Sequence, residues 1–227
     1  MVLPRYPFFG IPAVYVDPTI VSFVAEPAVA ELGSTVDEIV LKWRIAKGIS
    51  TLVVDGVVLA PNERMVTKTG PFTTNQSWSM KAGDEQTSVN AKATLSFVNT
   101  LYSWFAATAP ANSSAMKALD FSDLSDTLER SITIGSPDGK VFCIAYPARL
   151  RTPKLGLIKS SGVWEPVNSA IYPFTDYVTS TVSFTNDSGY TENYTVITFN
   201  AQLPGSNVIQ INKGKPPAAP GFSWVED

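Results

Sequence analysis

The sequence contains no histidine and a single cysteine. Histidine is the commonest general base and the commonest metal ligand, so its absence argues against most acid–base and metal-dependent catalysis. A serine nucleophile would have no histidine to activate it. Cys143 lies in the apolar run VFCIAY, which predicts a buried structural thiol, and one cysteine cannot form an internal disulfide. We therefore expect a protein that is not an enzyme, with no catalytic residues, no metal site and no cofactor.

Charged residues are also scarce, at 16% of the 227 residues, and the net charge is −3. The 17 lysines and arginines are scattered, whereas a nucleic-acid-binding surface clusters them. No apolar run approaches the roughly 18 residues of a membrane helix. The first residues are apolar but interrupted by prolines, unlike the apolar core of a signal peptide. We expect neither a nucleic-acid partner nor a membrane partner.

What the sequence does contain is strict alternation of polar and apolar residues. The stretch from Ser88 to Phe97 reads SVNAKATLSF, with apolar side chains at every second position. Because successive side chains on a strand point to opposite faces, this pattern predicts a sheet with one buried and one solvated face. Antiparallel sheets have such faces, whereas parallel sheets are covered on both sides. The fold class is therefore predicted to be all-β and antiparallel.

Residues 18–99 are predicted to form an immunoglobulin-like β-sandwich. Trp43 lies in the alternating run IVLKWRI, which predicts a central strand. Asp55-Gly56, between TLVV and VVL, predicts a two-residue hairpin turn, and Gly70-Pro71 predicts a further turn. About seven strands with frequent turns are typical of this sandwich.

Residues 100–212 are predicted to form a second antiparallel β-domain. A short helical segment is expected near 113–129, with Asn112 or Ser113 as its cap. The strand at Lys140 to Tyr146 is apolar on both faces, which predicts a central position in the sheet. The acidic run from Asp120 to Glu129 is interpreted as a solvated helix face.

The two ends are predicted to be extended arms that bind partners. Residues 1–17 and the proline-rich tail at 213–227 carry aromatic side chains that are unfavourable in water. Packing on the chain's own domain, or disorder of the tail, are the alternatives. The candidate partner-binding residues are Tyr6, Phe8, Phe9, Phe222 and Trp224.

Three further aromatics, Trp164, Tyr172 and Tyr177, are candidates for stacking on a glycan. They fall in a loop-rich part of the sequence. Packing in the core and contact with a partner subunit are the alternatives for this group.

The order of these segments resembles a family of tailed-bacteriophage structural proteins of the tail or baseplate, which carry an immunoglobulin-like module. The segment ELGSTVDEIVLKWRI, with the Asp55-Gly56 hairpin, resembles that module, and ATLSFVNTLYSWFAA resembles its exit. The Tyr146-Pro147 strand end and TNDSGYTENYTVITFN resemble the following domain. The match covers roughly residues 17–212.

This resemblance implies a non-enzymatic virion component at the tail or baseplate periphery, made and assembled in the host cytoplasm. Its partners would be other virion proteins and copies of itself, bound through the terminal arms. The alternative is a carbohydrate- or receptor-binding adhesin module, because an immunoglobulin-like fold serves many functions.

Overall fold

A computed structural model describes residues 15–128, 140–150 and 177–199 in full, and the backbone of four further strands. The described residues form strands and one short helix, α1 (Ser113–Lys117). The strands, in chain order, are β1 (Ile20–Glu26), β2 (Val29–Glu31), β3 (Val36–Ile45), β4 (Thr51–Val54), β5 (Val57–Leu59), β6 (Met65–Phe72), β7 (Gln76–Gly83), β8 (Ser88–Ala106), β9 (Phe121–Ser125), β10 (Arg130–Ile134), β11 (Val141–Pro147), β12 (Leu155–Ile158), β13 (Trp164–Pro166), β14 (Tyr177–Thr185), β15 (Thr191–Phe199) and β16 (Asn207–Ile211).

The chain divides into two compact units. Unit 1 comprises residues 1–28 and 36–96, and unit 2 comprises residues 29–35 and 97–227. The short segment 29–35, which contains β2, therefore belongs to unit 2 although unit 1 flanks it in sequence. Strand β8 begins in unit 1 and ends in unit 2.

Unit 1 is an immunoglobulin-like sandwich of two antiparallel sheets. One sheet has the order β1-β3-β6, and the other has the order β5-β4-β7-β8. Phe72 on β6 meets Trp78 on β7 edge to face, with ring centroids 5.8 Å apart, so the two sheets share one core. The predicted all-β, immunoglobulin-like fold is confirmed by this strand order.

The alternation seen in the sequence explains how unit 1 buries its core. On β3, Ile39, Leu41 and Trp43 are buried, whereas the residues between them are exposed or half-buried. Trp43 lies on the middle strand of its sheet, packs edge to face against Phe23 and donates its indole N–H to the carbonyl of Glu63 at 2.9 Å. A buried tryptophan satisfied in this way is a large apolar anchor without an unpaired donor.

The predicted Asp55-Gly56 hairpin is confirmed, because both residues have positive φ and join β4 to β5. The predicted turn at Gly70-Pro71 is wrong. Both residues lie inside β6, an edge strand, where a proline lacking an N–H is tolerated. Gly70 is needed there because a Cβ would lie 2.5 Å from the carbonyl oxygen of Val36.

Unit 2 is built around a sheet with the order β14-β15-β11-β8, and β9 also pairs with β8. Strand β11 lies between β15 and β8, so its predicted central position is confirmed. Its side chains enter two different clusters, one containing Phe142, Ile144 and Tyr146 and the other containing Cys143 and Ala145. The sheet is therefore buried on both faces around this strand.

The helical prediction is correct only in its first part. Helix α1 spans Ser113–Lys117 and is capped by Asn112, whose side chain accepts the N–H of Ala115 at 2.9 Å. The following segment forms β9 rather than a second helical turn, because β8 continues to Ala106 and offers it a hydrogen-bonding partner. The four remaining strands of unit 2 form an antiparallel sheet of order β10-β16-β12-β13.

Candidate functional site

Within the described residues, no three acidic or thiol side chains come together in a way that could hold a metal ion. Cys143 is fully buried, its Sγ lies 3.9 Å from the Thr198 hydroxyl, and burial raises the pKa of its thiol. A thiol with a raised pKa is a poor nucleophile, so the predicted structural role is consistent with its position. No helix among the described residues is long and apolar enough to span a membrane.

The first polar cluster, in unit 1, anchors the end of the N-terminal arm. The Tyr15 hydroxyl donates to both carboxylate oxygens of Asp84, at 2.9 and 2.8 Å, and the Lys47 ammonium lies 3.8 Å above the Tyr15 ring. Asp84 also accepts the backbone N–H groups of Thr87 and Gln86. These two bonds, with smaller contributions from Tyr15 and Lys47, hold the Asp84 pKa well below its usual range. Tyr15 therefore packs on its own domain.

The second polar cluster, in unit 2, joins buried Asn99 and Tyr194 to Glu192 and to the half-exposed Arg149. Asn99, only 3% exposed, donates to the Glu192 carboxylate at 2.8 Å and accepts a hydrogen bond from Arg149. Arg149 also pairs with Glu192, at 3.1 Å. The Tyr194 hydroxyl donates to the Thr100 carbonyl at 2.8 Å, and burial raises the Tyr194 pKa. Each of these groups is paired, so the network specifies the packing of unit 2 and leaves no free acid or base.

The third set of contacts holds the segment 29–35 within unit 2. The Thr100 hydroxyl donates to Glu31 at 2.6 Å, and the Asn186 side chain donates to the Leu32 carbonyl at 2.7 Å. Gly33 has a φ of +84°, and a Cβ there would lie 2.5 Å from the Cβ of Tyr190. Only glycine combines this conformation with this close approach. These contacts hold the segment 29–35 within unit 2.

Of the aromatic candidates, only Tyr177 has a described side chain. It is half-buried at the start of β14, and its ring centroid lies 6.1 Å from that of Phe199. Tyr177 therefore packs against the core of unit 2, as one of the alternatives for this group expected. Trp164 begins β13, whose backbone alone is described, and Tyr172 lies outside the described residues. Tyr6, Phe8, Phe9, Phe222 and Trp224 also lie outside them.

The solvated face of the four-stranded sheet of unit 1 forms an open concavity of about 550 Å³. Lys81 lies between Val53 and Asn90 across the strands, and Lys92 lies opposite Ser79. In the described part of the chain neither lysine has an ion-pair partner. This surface offers hydrogen-bond donors and positive charge, but no carboxylate that could act as a base.

A different kind of surface lies at the edge of the unit 2 sheet. Among the described strands, β14 pairs only with β15, and the two are in register over all nine residues of β14 without a bulge. The strand reads YVTSTVSFT, with no charge, no proline and no glycine. Sheet edges in natural proteins are normally protected by charges, prolines, bulges or a covering segment. Among the residues that the structure describes, a covering segment contacts one end of β14 only.

That covering segment is the start of α1. The Ser113 hydroxyl accepts the N–H of Thr185 at 2.9 Å and lies 3.4 Å from the carbonyl of Ser183. The other half of the edge, from Tyr177 to Thr181, makes no such contact in the described part of the chain. Val178 is 51% exposed, and the next three side chains are exposed as well. We call residues 177–181 the open edge.

Sequence reasoning located β14 as a strand but did not identify the open edge. The uncharged composition of YVTSTVSFT was visible, but whether this strand lies in the middle or at the side of a sheet depends on pairing between distant segments. Alternation in SVNAKATLSF places Lys92 on a solvated face, but its proximity to Lys81 depends on the register of β7 and β8.

Comparisons with known proteins give no family assignment. No family model matches the sequence, and no curated protein matches it. Among the solved structures that align with the chain are three of immunoglobulin domains. Sidekick-1 immunoglobulin domains 1–5 are 18% identical over 83% of this chain and 34% of that chain, with a TM-score of 0.27. The titin Ig tandem domains A164–A165 are 10% identical, covering 87% of this chain and 90% of that chain, with a TM-score of 0.23. The titin I-band fragment I67–I69 is 11% identical, covering 88% and 62%, with a TM-score of 0.25.

This chain thus spans about a third of the Sidekick-1 chain with which it aligns. At these TM-scores the alignments assign neither family nor function, and the description of unit 1 rests on its own strand order and register.

Proposed function

We propose that this protein is a non-enzymatic structural component of a tailed-bacteriophage particle, at the periphery of the tail or baseplate. The proposal starts from the resemblance of residues 17–212 to phage structural proteins. It assigns the protein an assembly role in which copies and neighbouring virion proteins bind one another through sheet edges and terminal arms.

The observation that carries the proposal is the open edge of β14. Backbone N–H and C=O groups at a sheet edge are obligatory hydrogen-bonding groups that a neighbouring chain can pair with. The titratable side chains of the polar clusters are meanwhile engaged in contacts that hold the fold together. A protein whose polar groups are used structurally and whose sheet edge is open is suited to assembly rather than turnover.

The direct test is the protein composition of purified virions from the source. Mass spectrometry should detect this chain in the particles, and immunogold labelling should place it at one end of the tail. Its absence from particles of a source that produces the chain during infection would overturn the proposal. A control antibody against a capsid protein should label the head.

The role of the arms has a separate test. Deleting residues 1–14 leaves the Tyr15–Asp84 anchor in place, so unit 1 should keep its thermal transition while particle incorporation falls. Deletion of residues 213–227 tests the other arm in the same way. Incorporation at the wild-type level in both variants would contradict partner binding by Tyr6, Phe8, Phe9, Phe222 and Trp224.

The alternative proposal, a carbohydrate- or receptor-binding module, is favoured by the lysine-lined concavity of unit 1. Its donors suit hydroxyl and carboxylate groups of a host-surface glycan. A glycan array distinguishes the two roles, since specific binding lost in Lys81→Ala and Lys92→Ala would support a receptor-binding role at this face. Binding lost in Trp164→Ala would instead place the glycan at the predicted aromatic residues.

A further inference from the structure

The hydrogen-bonding direction of each residue on β14 follows from two contacts at its end. Asn186, which continues the strand into the hairpin, donates its N–H to Tyr190 on the β15 side at 3.0 Å. Thr185 donates its N–H in the opposite direction, to Ser113 at 2.9 Å. Because backbone direction alternates along an antiparallel strand, the odd-numbered residues point away from β15. The N–H and C=O groups of Tyr177, Thr179 and Thr181 therefore point outward along the open edge.

We propose that the open edge pairs with the open edge of a second copy of this chain, antiparallel and across a two-fold axis at Thr179. This inference deepens the proposed assembly function and rests on it for the identity of the partner. In this register Thr179 faces Thr179 of the other copy, and Tyr177 faces Thr181. All of these are outward-pointing residues, so each facing pair exchanges two N–H···O bonds.

The covered end of the strand excludes a register shifted toward Thr185. Moving the axis to Thr181 would require Ser183 and Thr185 to pair with the second copy. The Thr185 N–H already donates to Ser113, and the Ser183 carbonyl lies beside the same hydroxyl. An axis at Thr179 uses the outward groups from Tyr177 to Thr181 and leaves the α1 contact intact.

A second copy fits this edge better than a charged partner strand does. The open edge, YVTST, carries no charge, so two copies meet without like-charge repulsion. The facing threonines at the axis form a favourable cross-strand pair, and the exposed Val178 meets Ser180 of the other copy. A two-fold contact also closes on itself, so it consumes the edge in both copies without building an open-ended fibre.

The contact is short, which sets its expected strength. Five residues bury less than the roughly 1,000 Å² of a stable interface, so we expect a weak dimer in dilute solution. In a particle that holds many copies, linked weak contacts reinforce one another through their high effective concentration. The measurement therefore needs concentrated protein.

The test is a charge swap on the two-fold axis, read by sedimentation equilibrium of the full chain at increasing concentration. Thr179→Lys and Thr179→Glu each place like charges face to face, so each homodimer should weaken by roughly tenfold or more. An equimolar mixture of the two variants should restore the dimer, because opposite charges then meet. Thr94→Lys is the matched control, since it adds the same charge at an exposed position of β8 in unit 1 and should leave the dimer unchanged.

A second variant, Thr179→Pro, removes an outward N–H without removing a bond to β15, so it should abolish dimerisation while the fold is retained. Three results would overturn the inference: a wild-type chain that stays monomeric up to about 1 mM, a dimer that tolerates both charges at Thr179, or two monomeric variants that do not rescue each other. Dimers that form as expected in a chain absent from virions would refute the proposed function and leave this interface standing.

Discussion

The two units bury their sheets in different ways. In unit 1 each sheet has one buried and one solvated face, and a single core lies between them, with Trp43 and Trp78 both about 5% exposed. In unit 2 the sheet around β11 is covered on both faces, and buried polar groups such as Asn99 accompany the apolar ones. Unit 1 therefore depends on apolar packing, whereas unit 2 depends on packing together with a hydrogen-bond network that must be complete.

The largest expected effect tests the apolar half of this comparison. Trp43→Ala removes a buried ring that packs on Phe23 and should lower the free energy of unfolding by about 3–5 kcal/mol. Urea unfolding followed by circular dichroism measures it. Val58→Ala is the control, because Val58 is 77% exposed and its truncation should change stability by less than about 0.5 kcal/mol. A loss below about 1 kcal/mol for Trp43→Ala would mean that unit 1 has no single shared core.

The next effect concerns the segment 29–35 in unit 2. Gly33→Ala combines an unfavourable positive φ with a clash against Tyr190, and should destabilise the protein by about 2–4 kcal/mol. Gly56 has nearly the same φ, +78°, but nothing lies within 4 Å of an added Cβ. Gly56→Ala should therefore lower stability only through its unfavourable backbone conformation, by about 1–2 kcal/mol. Equal losses in the two variants would show that Gly33 is not packed against Tyr190.

The difference between the units also explains how far the sequence could be interpreted. Alternation at Ser88–Phe97 and at Ile39–Ile45 marks strands with one dry face, so these strands of unit 1 could be predicted, whereas the turn expected at Gly70-Pro71 is part of β6. The run VFCIAY has no such alternation, and because it is apolar on both faces it predicted the central position of β11. Segment 121–125, by contrast, becomes a strand only because β8 extends to Ala106 and supplies a hydrogen-bonding partner. The local sequence preference of the segment does not predict this long-range pairing.

The candidate site was less predictable than the fold. The open edge depends on which strands lie beside β14 and on Ser113 covering one of its ends, and that contact joins residues 72 positions apart. The polar network around Asn99 likewise joins β8, Arg149 and β15. Side-chain chemistry in the sequence identifies groups that need partners, but it does not identify the partners.

The polar half of the comparison has its own test. Asn99→Ala removes a hydrogen-bonding side chain that is 3% exposed and leaves parts of Arg149 and Glu192 unpaired, so stability should fall by about 1–3 kcal/mol. Asn90→Ala is a matched control on the same strand. Asn90 is exposed in unit 1, so its substitution should leave the free energy of unfolding nearly unchanged. Similar urea midpoints for the two variants would contradict a structural role for the polar network around Asn99.

The smallest effect is a pH dependence in unit 1, where a charged group does act in stabilisation. The Asp84 pKa is lowered by the N–H groups of Thr87 and Gln86, so the folded state favours the carboxylate. Stabilisation from this group is therefore fully present above the ordinary carboxyl pKa of about 3.9 and is lost progressively as the pH falls below it. Asp84→Asn should have a lower free energy of unfolding than wild type at pH 7. The difference between the two proteins should narrow as the pH falls below the ordinary carboxyl pKa. Glu85→Gln is the control, because it removes a neighbouring carboxylate that does not accept these N–H groups. Its stability should differ little from that of wild type across the same pH range. The difference in free energy of unfolding between Asp84→Asn and wild type could instead stay constant over the whole pH range. That result would mean that hydrogen bonding to the neutral side chain is sufficient, and that the charge of Asp84 does not anchor Tyr15.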